Sequence, residues 1–191
     1  MRSGADASAG PDFESRAAGV VTWLADFAAE EIATITVSRP GLTALGEPLH
    51  PSDLIGMAHS PAYFLAAGAA DGEFSWVHAM PAKIADPVIH RLIDKVQVGP
   101  QPVADVERYR QGATVTIRTT DGRSSTATVH VPKGAAMLGL GWADIEAKYR
   151  ALVPYAGASA EQLESSLGLI RDFRQIDRAA ALPEILQIRR R

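Results

Sequence analysis

The sequence predicts an α+β fold: a small, mostly antiparallel sheet of about four strands covered by helices. Three observations predict it. A 3.6-residue apolar period gives way to a period of two at Glu31, a glycine-turn hairpin spans Thr114–Val131, and two helical stripes follow it. The chain has 191 residues, 47% hydrophobic and 21% charged. That composition is ordinary for a globular domain.

Residues 1–12 are small and polar and are predicted to be a disordered tail, leaving 13–191 as a single α+β domain. Ala17, Val20, Val21, Leu24, Phe27 and Ala28 recur on one helical face, predicting a helix from Glu14 to about Glu30. Its apolar stripe, with Trp23, is core or interface. Glu31–Ser38 then alternates, with Ala33, Ile35 and Val37 on one face, as a strand does. Residues 39–51 hold three prolines and two glycines and read as a loop. Ser52 and Asp53 are candidate N-caps for a helix from Leu54 to about Ala70, interrupted at His59-Ser60 by Pro61. Asp71-Gly72 ends it. A short helix around Asp86–Asp94 and a brief strand Lys95–Val98 follow.

In the hairpin, a two-residue Asp121-Gly122 turn would oppose apolar to polar side chains. A three-residue loop Thr120–Gly122 with Gly122 left-handed instead pairs Val115 with Ala127 and Ala113 with Val129, so a type I turn with a glycine bulge is predicted. The predicted buried face is Val115, Ile117, Thr119, Ala127, Val129 and Val131. Further on, Ile145, Tyr149, Leu152 and Val153 form one helical stripe. Ser159–Gln162 is a capping box for a second helix striped by Leu163, Leu167, Ile170 and Phe173. Leu182–Ile188 makes a last short helix.

Charge and composition exclude several functions. With 19 basic against 22 acidic residues, net −3, the chain lacks the cationic excess of a polybasic nucleic-acid binder. No apolar run is long enough for a membrane span, and the start lacks a signal-peptide core. There is no cysteine, which removes disulfides, thiolate zinc sites and a thiol nucleophile and points to a cytoplasmic protein. The five histidines are dispersed without metal-ligand spacing, so no metal site is expected from residues near in sequence.

The strongest candidate site is Ala58-His59-Ser60-Pro61-Ala62-Tyr63, where an imidazole, a hydroxyl and a phenol gather at a helix break. The plainer reading has Ser60 capping the helix and Tyr63 packing. Val131-Pro132-Lys133-Gly134 comes second: a lysine leaving a sheet can meet a carboxylate, or can simply be solvated. Arg171, Arg174 and Arg178 read as an exposed stripe paired with Asp172 and Asp177.

Five pieces of the chain, taken in order, resemble the C-terminal domain of the MmgE/PrpD family, which includes 2-methylcitrate dehydratase and cis-aconitate decarboxylase. They are Glu30-Glu31-Ile32 leading into a strand; His59–Tyr63 with Ala66–Gly72; Ile84–Pro87 with Leu92 and Val96; Thr114–Gly122; and Pro132–Gly134 with Trp142, Glu146, Lys148 and Tyr149. The resemblance implies a cofactor-independent lyase acting on a small di- or tricarboxylate. In such enzymes a base takes a proton beside a carboxylate, and polar or cationic groups hold the charge that develops. It assigns Ser60, Lys133 and Gly134 to substrate binding and makes Tyr63, facing the cleft, a candidate catalytic residue; His59, standing where the family has Phe, is a candidate acid or base.

The chain departs from the family ahead of the Glu14 helix. The family's Lys-Pro-Tyr…Cys…His segment is replaced there by Gly4–Phe13, and the family's large helical domain has no counterpart in this sequence. Two expectations follow. Either the chain is a small subunit or C-terminal half that needs a separate helical partner, or it is a non-catalytic ligand-binding or dimerisation module.

Overall fold

The structure is a computed structural model and describes residues 27–132, 134–135, 139–178 and 180–187. The predicted tail 1–12, residues 14–26 of the first predicted helix, Lys133 and Ile188 lie outside them. At the described end of that first helix the chain forms a turn, closed by Glu31 N–H donating to Ala28 O. The chain divides at Ala135 into two compact units.

The first unit opens with β1 (Ile32–Ser38), then α1 (Leu54–Ala58), α2 (Pro61–Asp71), a 3-10 turn (Trp76–Ala79), α3 (Pro81–Ile84) and α4 (Pro87–Ile93). β2 (Val96–Val98), a 3-10 turn (Val106–Arg108), β3 (Ala113–Thr119) and β4 (Ser124–Val129) complete it. The fold is α+β, with a four-stranded sheet in the order β2-β1-β3-β4. The sheet is mixed: β1 pairs with β2 in parallel, while β1–β3 and β3–β4 are antiparallel. The parallel pair follows from the helices between β1 and β2, which carry the chain back to the same end of the sheet.

One sheet face carries the core. Ile32, Ile35 and Val37 of β1, with Val96, Val115 and Ile117, join Tyr63, Ala66, Ala67 and Ala69 of α2 and Ile89, Leu92 and Ile93 of α4 in one buried cluster. Ala33, expected on this face, is only half-buried, and Ile32 replaces it. The cause is a register shift between Ile32 and Thr34 against β3: the extra residue of a β-bulge reverses the inward phase at that point. On the opposite face threonines pair across strands, Thr114 with Thr128 at 2.7 Å and Thr116 with Thr126 at 2.8 Å.

The hairpin has the predicted register, Val115 opposite Ala127 and Ala113 opposite Val129. Gly122 stands at φ +89°. Its N–H donates to Thr119 O, and Thr119 N–H donates to Arg123 O, closing the three-residue loop. The tip is bound to the residue just before β1 through Arg123, which contacts Asp121 at 2.7 Å and Glu31 at 3.0 Å. Hydrogen bonds from Thr119 and Arg123 pull the Asp121 carboxyl down to about 2. Because the Gly122 conformation is left-handed, Gly122→Ala is expected to cost about 1–2 kcal/mol in denaturant unfolding. A neutral result would mean that the turn relaxes to another type.

The second unit is helical: α5 (Trp142–Leu152), a 3-10 turn (Val153–Ala156), α6 (Ala160–Arg171), a 3-10 turn (Phe173–Gln175) and α7 (Ala181–Ile185). The capping box is present, Ser159 Oγ accepting from Gln162 N and Gln162 Oε1 from Ser159 N. Ser166 Oγ donates to Leu163 O, so the Tyr149 hydroxyl, 2.8 Å away, donates to Ser166. The arginines do not pair with Asp172 and Asp177 as expected. Arg171 binds Glu146 and Arg178 binds Glu184: α6 ends at Arg171, so the three arginines do not share one helical face, and charges from different elements meet instead.

Candidate functional site

The helix break is built by two caps placed end to end. Asp53 Oδ1 accepts Gly56 N–H at 2.7 Å and starts α1, which lasts one turn. His59 closes it, its N–H donating to Gly56 O. Pro61, lacking an N–H and preset to helical φ, then begins α2. Ser60 is its N-cap: Oγ accepts Tyr63 N–H at 3.2 Å and donates to Leu49 O at 2.9 Å. Ser60 is fully buried, with both functions of its hydroxyl used.

Tyr63, one turn into α2, is 0% exposed. Its hydroxyl donates to His78 O at 2.8 Å. Burial in these surroundings pushes the phenol up to about 12, so it is a hydrogen-bond donor at any physiological pH and not a base. His59 differs from both, since its side chain is in solvent. The break therefore brings His59, Ser60 and Tyr63 together in sequence but directs them differently, one outward and two inward. Gly134 is exposed, with φ +86°, in the loop after β4. Lys133 lies outside the described residues.

Beneath Tyr63 lies a charged network that sequence reading missed. His78, 2% exposed, accepts Ser75 N–H on Nδ1 at 3.0 Å, which leaves the ring hydrogen on Nε2 for Asp71 Oδ2 at 3.0 Å. Lys83 Nζ bridges Asp71 at 2.5 Å and Asp86 at 3.3 Å. The Asp71 hydrogen bond raises the Lys83 ammonium above its usual range. Burial opposes ionisation of Asp86, but Val88 N–H, Lys83 and Ile89 N–H outweigh it and hold that carboxyl below the ordinary range. Asp86 also caps α4, its Oδ1 taking Val88 N–H at 2.8 Å. The one local signal for this network was Asp86 ahead of Pro87, a cap pattern. The Asp71–His78 and Asp71–Lys83 contacts come from tertiary packing.

His78 thus serves α2 twice, its carbonyl holding the Tyr63 hydroxyl and its imidazole holding Asp71 at the other end of the helix. Phe74 stacks on that imidazole at 4.9 Å, and Phe64 meets Phe74 edge-on at 4.7 Å. Together they fix the position of α2 from Ser60 to Asp71. Among the described residues no group of three or more His, Cys, Asp or Glu side chains is arranged to hold a metal. None of the described helices is long and apolar enough to cross a membrane.

A mixed sheet with a broken, doubly anchored helix on one face, entered through Ser60 and Tyr63, defines a small α+β domain. The sequence matches the MmgE/PrpD C-terminal domain over residues 21–168, and the chain belongs to that family. The match spans the helix break, the whole sheet and most of α6. No curated protein matches the chain.

Proposed function

We propose that this chain acts as the small subunit, or C-terminal half, of a cofactor-independent lyase for a small di- or tricarboxylate, with a separate helical subunit supplying the proton-moving groups. The observation that carries this reading is the family match, which falls on the C-terminal domain over residues 21–168. The geometry at the helix break adds detail. His59 is the member of the trio whose side chain stands in solvent, free to meet a ligand or a partner surface. Tyr63 reaches a carboxylate by exchanging the His78 carbonyl for the ligand, and as a protonated phenol it donates there and steadies negative charge. Ser60 holds the helix entrance, and Lys133 with Gly134 would contact the carboxylates from the loop after β4.

The inward bonds of Ser60 and Tyr63 favour a second reading, a non-catalytic module that binds a ligand or pairs with its own copy. Reconstitution separates the two. Under the lyase reading, the purified chain alone turns over none of a panel of small di- and tricarboxylates, and turnover appears when the helical protein co-purifying from the host is added. Tyr63→Phe then lowers turnover of the complex at least tenfold while its circular dichroism is unchanged. Turnover equal to wild type in Tyr63→Phe, or no turnover with any co-purifying protein, favours the second reading. An unaltered pH–rate profile in His59→Gln removes His59 from the reaction.

A further inference from the structure

Away from the helix break, His50 of the loop after β1 and His90 of α4 face each other. Their Nδ1 atoms are 2.9 Å apart. His90 Nε2 lies 2.8 Å from Ile84 O, and His50 Nε2 lies 2.9 Å from Asp94 Oδ1. Hydrogen counting fixes the state of this chain of contacts. A carbonyl and a carboxylate oxygen only accept, so both Nε2 atoms carry hydrogen. The inner Nδ1 pair is held by one hydrogen, because two would collide and none would oppose two lone pairs. Three ring hydrogens on two imidazoles exceed the neutral pair by one proton. A carboxylate is the weaker base, so that proton stays on the rings while Asp94 balances its charge.

We propose that His50 and His90 form a proton-binding site that holds one shared proton and fastens the loop to α4. The ring geometry favours a proton over a metal ion. The planes are within 13° of each other and the centroids 5.1 Å apart, about one ring width more than the nitrogen separation. The two lone pairs therefore point along a single line and do not converge on a third point, as ligands of one metal must. The charged groups on the segments carrying the pair are Glu47 and Asp53 near His50, and Asp86, Arg91 and Asp94 on or beside α4, with Lys83 against Asp86. Among the described residues Asp94 is the charged group that contacts an imidazole of this pair. The site also bears on the helix break. His50 follows Leu49, whose carbonyl accepts the Ser60 hydroxyl, so the proton helps to place that acceptor.

In the full chain, His90→Gln and His50→Gln should each raise the unfolding constant several-fold, and the double variant should add little to either single one, because each single change already breaks the same link. Nitrogen-15 NMR of the wild-type imidazoles should show hydrogens on both Nε2 atoms and one between the Nδ1 atoms. Two ring hydrogens at neutral pH, or single-variant effects that simply add in the double variant, would overturn the proposal. So would stabilisation by micromolar zinc that is reversed by a chelator, which would make the pair a metal site.

Discussion

Tyr63→Ala is expected to destabilise the first unit by about 3–5 kcal/mol in urea unfolding, because it empties the volume of the largest fully buried side chain in the core. Tyr63→Phe keeps the ring and removes one hydrogen bond, leaving the His78 carbonyl without its donor, and is expected to cost about 1–3 kcal/mol. The phenol also sets an alkaline limit. Burial holds it protonated up to about 12 in the folded chain, against an ordinary value of 10.0. Between these values the unfolded chain releases the proton and the folded chain keeps it. Stability is then lost as pH rises, by about 1.4 kcal/mol per unit for this group. Phenolate absorbance followed alongside unfolding should show this slope in wild type and its loss in Tyr63→Phe. The same slope in both proteins would mean that the hydroxyl is not enclosed.

Asp71→Ala is expected to cost about 2–3 kcal/mol, since it strips the buried His78 Nε2–H of its acceptor and Lys83 of its closest counter-charge. The value lies below that of a fully buried pair because Asp71 and Lys83 each keep 28% side-chain exposure. Asp71→Asn retains an oxygen for His78 and should recover part of the loss. As one residue, His78, receives both Tyr63 and Asp71, the double variant Tyr63→Phe/Asp71→Ala should depart from additivity by about 0.5 kcal/mol or more. Strict additivity would show that the two anchors act independently.

Where chemistry is local, the sequence alone revealed it. Register in the hairpin followed from requiring that Val115 and Ala127 share a face, and the Gly122 conformation followed from that register. Pro61 disclosed the helix break and Ser60 its cap, and the same reasoning found the capping box at Ser159. Distant pairings escaped. The bulge after Ile32 changes which residues of β1 face inward, and nothing in a strict alternation signals one extra residue. The two histidine-centred networks depend on pairings such as Asp71–His78 and His50–Asp94, seven and forty-four positions apart, with partners that only the crossover helices bring close. Family likeness supplied the proposed class of reaction, which the residues by themselves did not reach.

The order of the strands also bears on self-association. At one border of the sheet stands β2, three residues long, which offers too few backbone groups to template an added strand. At the other border stands β4, six residues of serine, threonine, alanine and valine without a charge or a proline to deter pairing. Unless something covers β4, sheet extension between copies of this chain has one direction open to it.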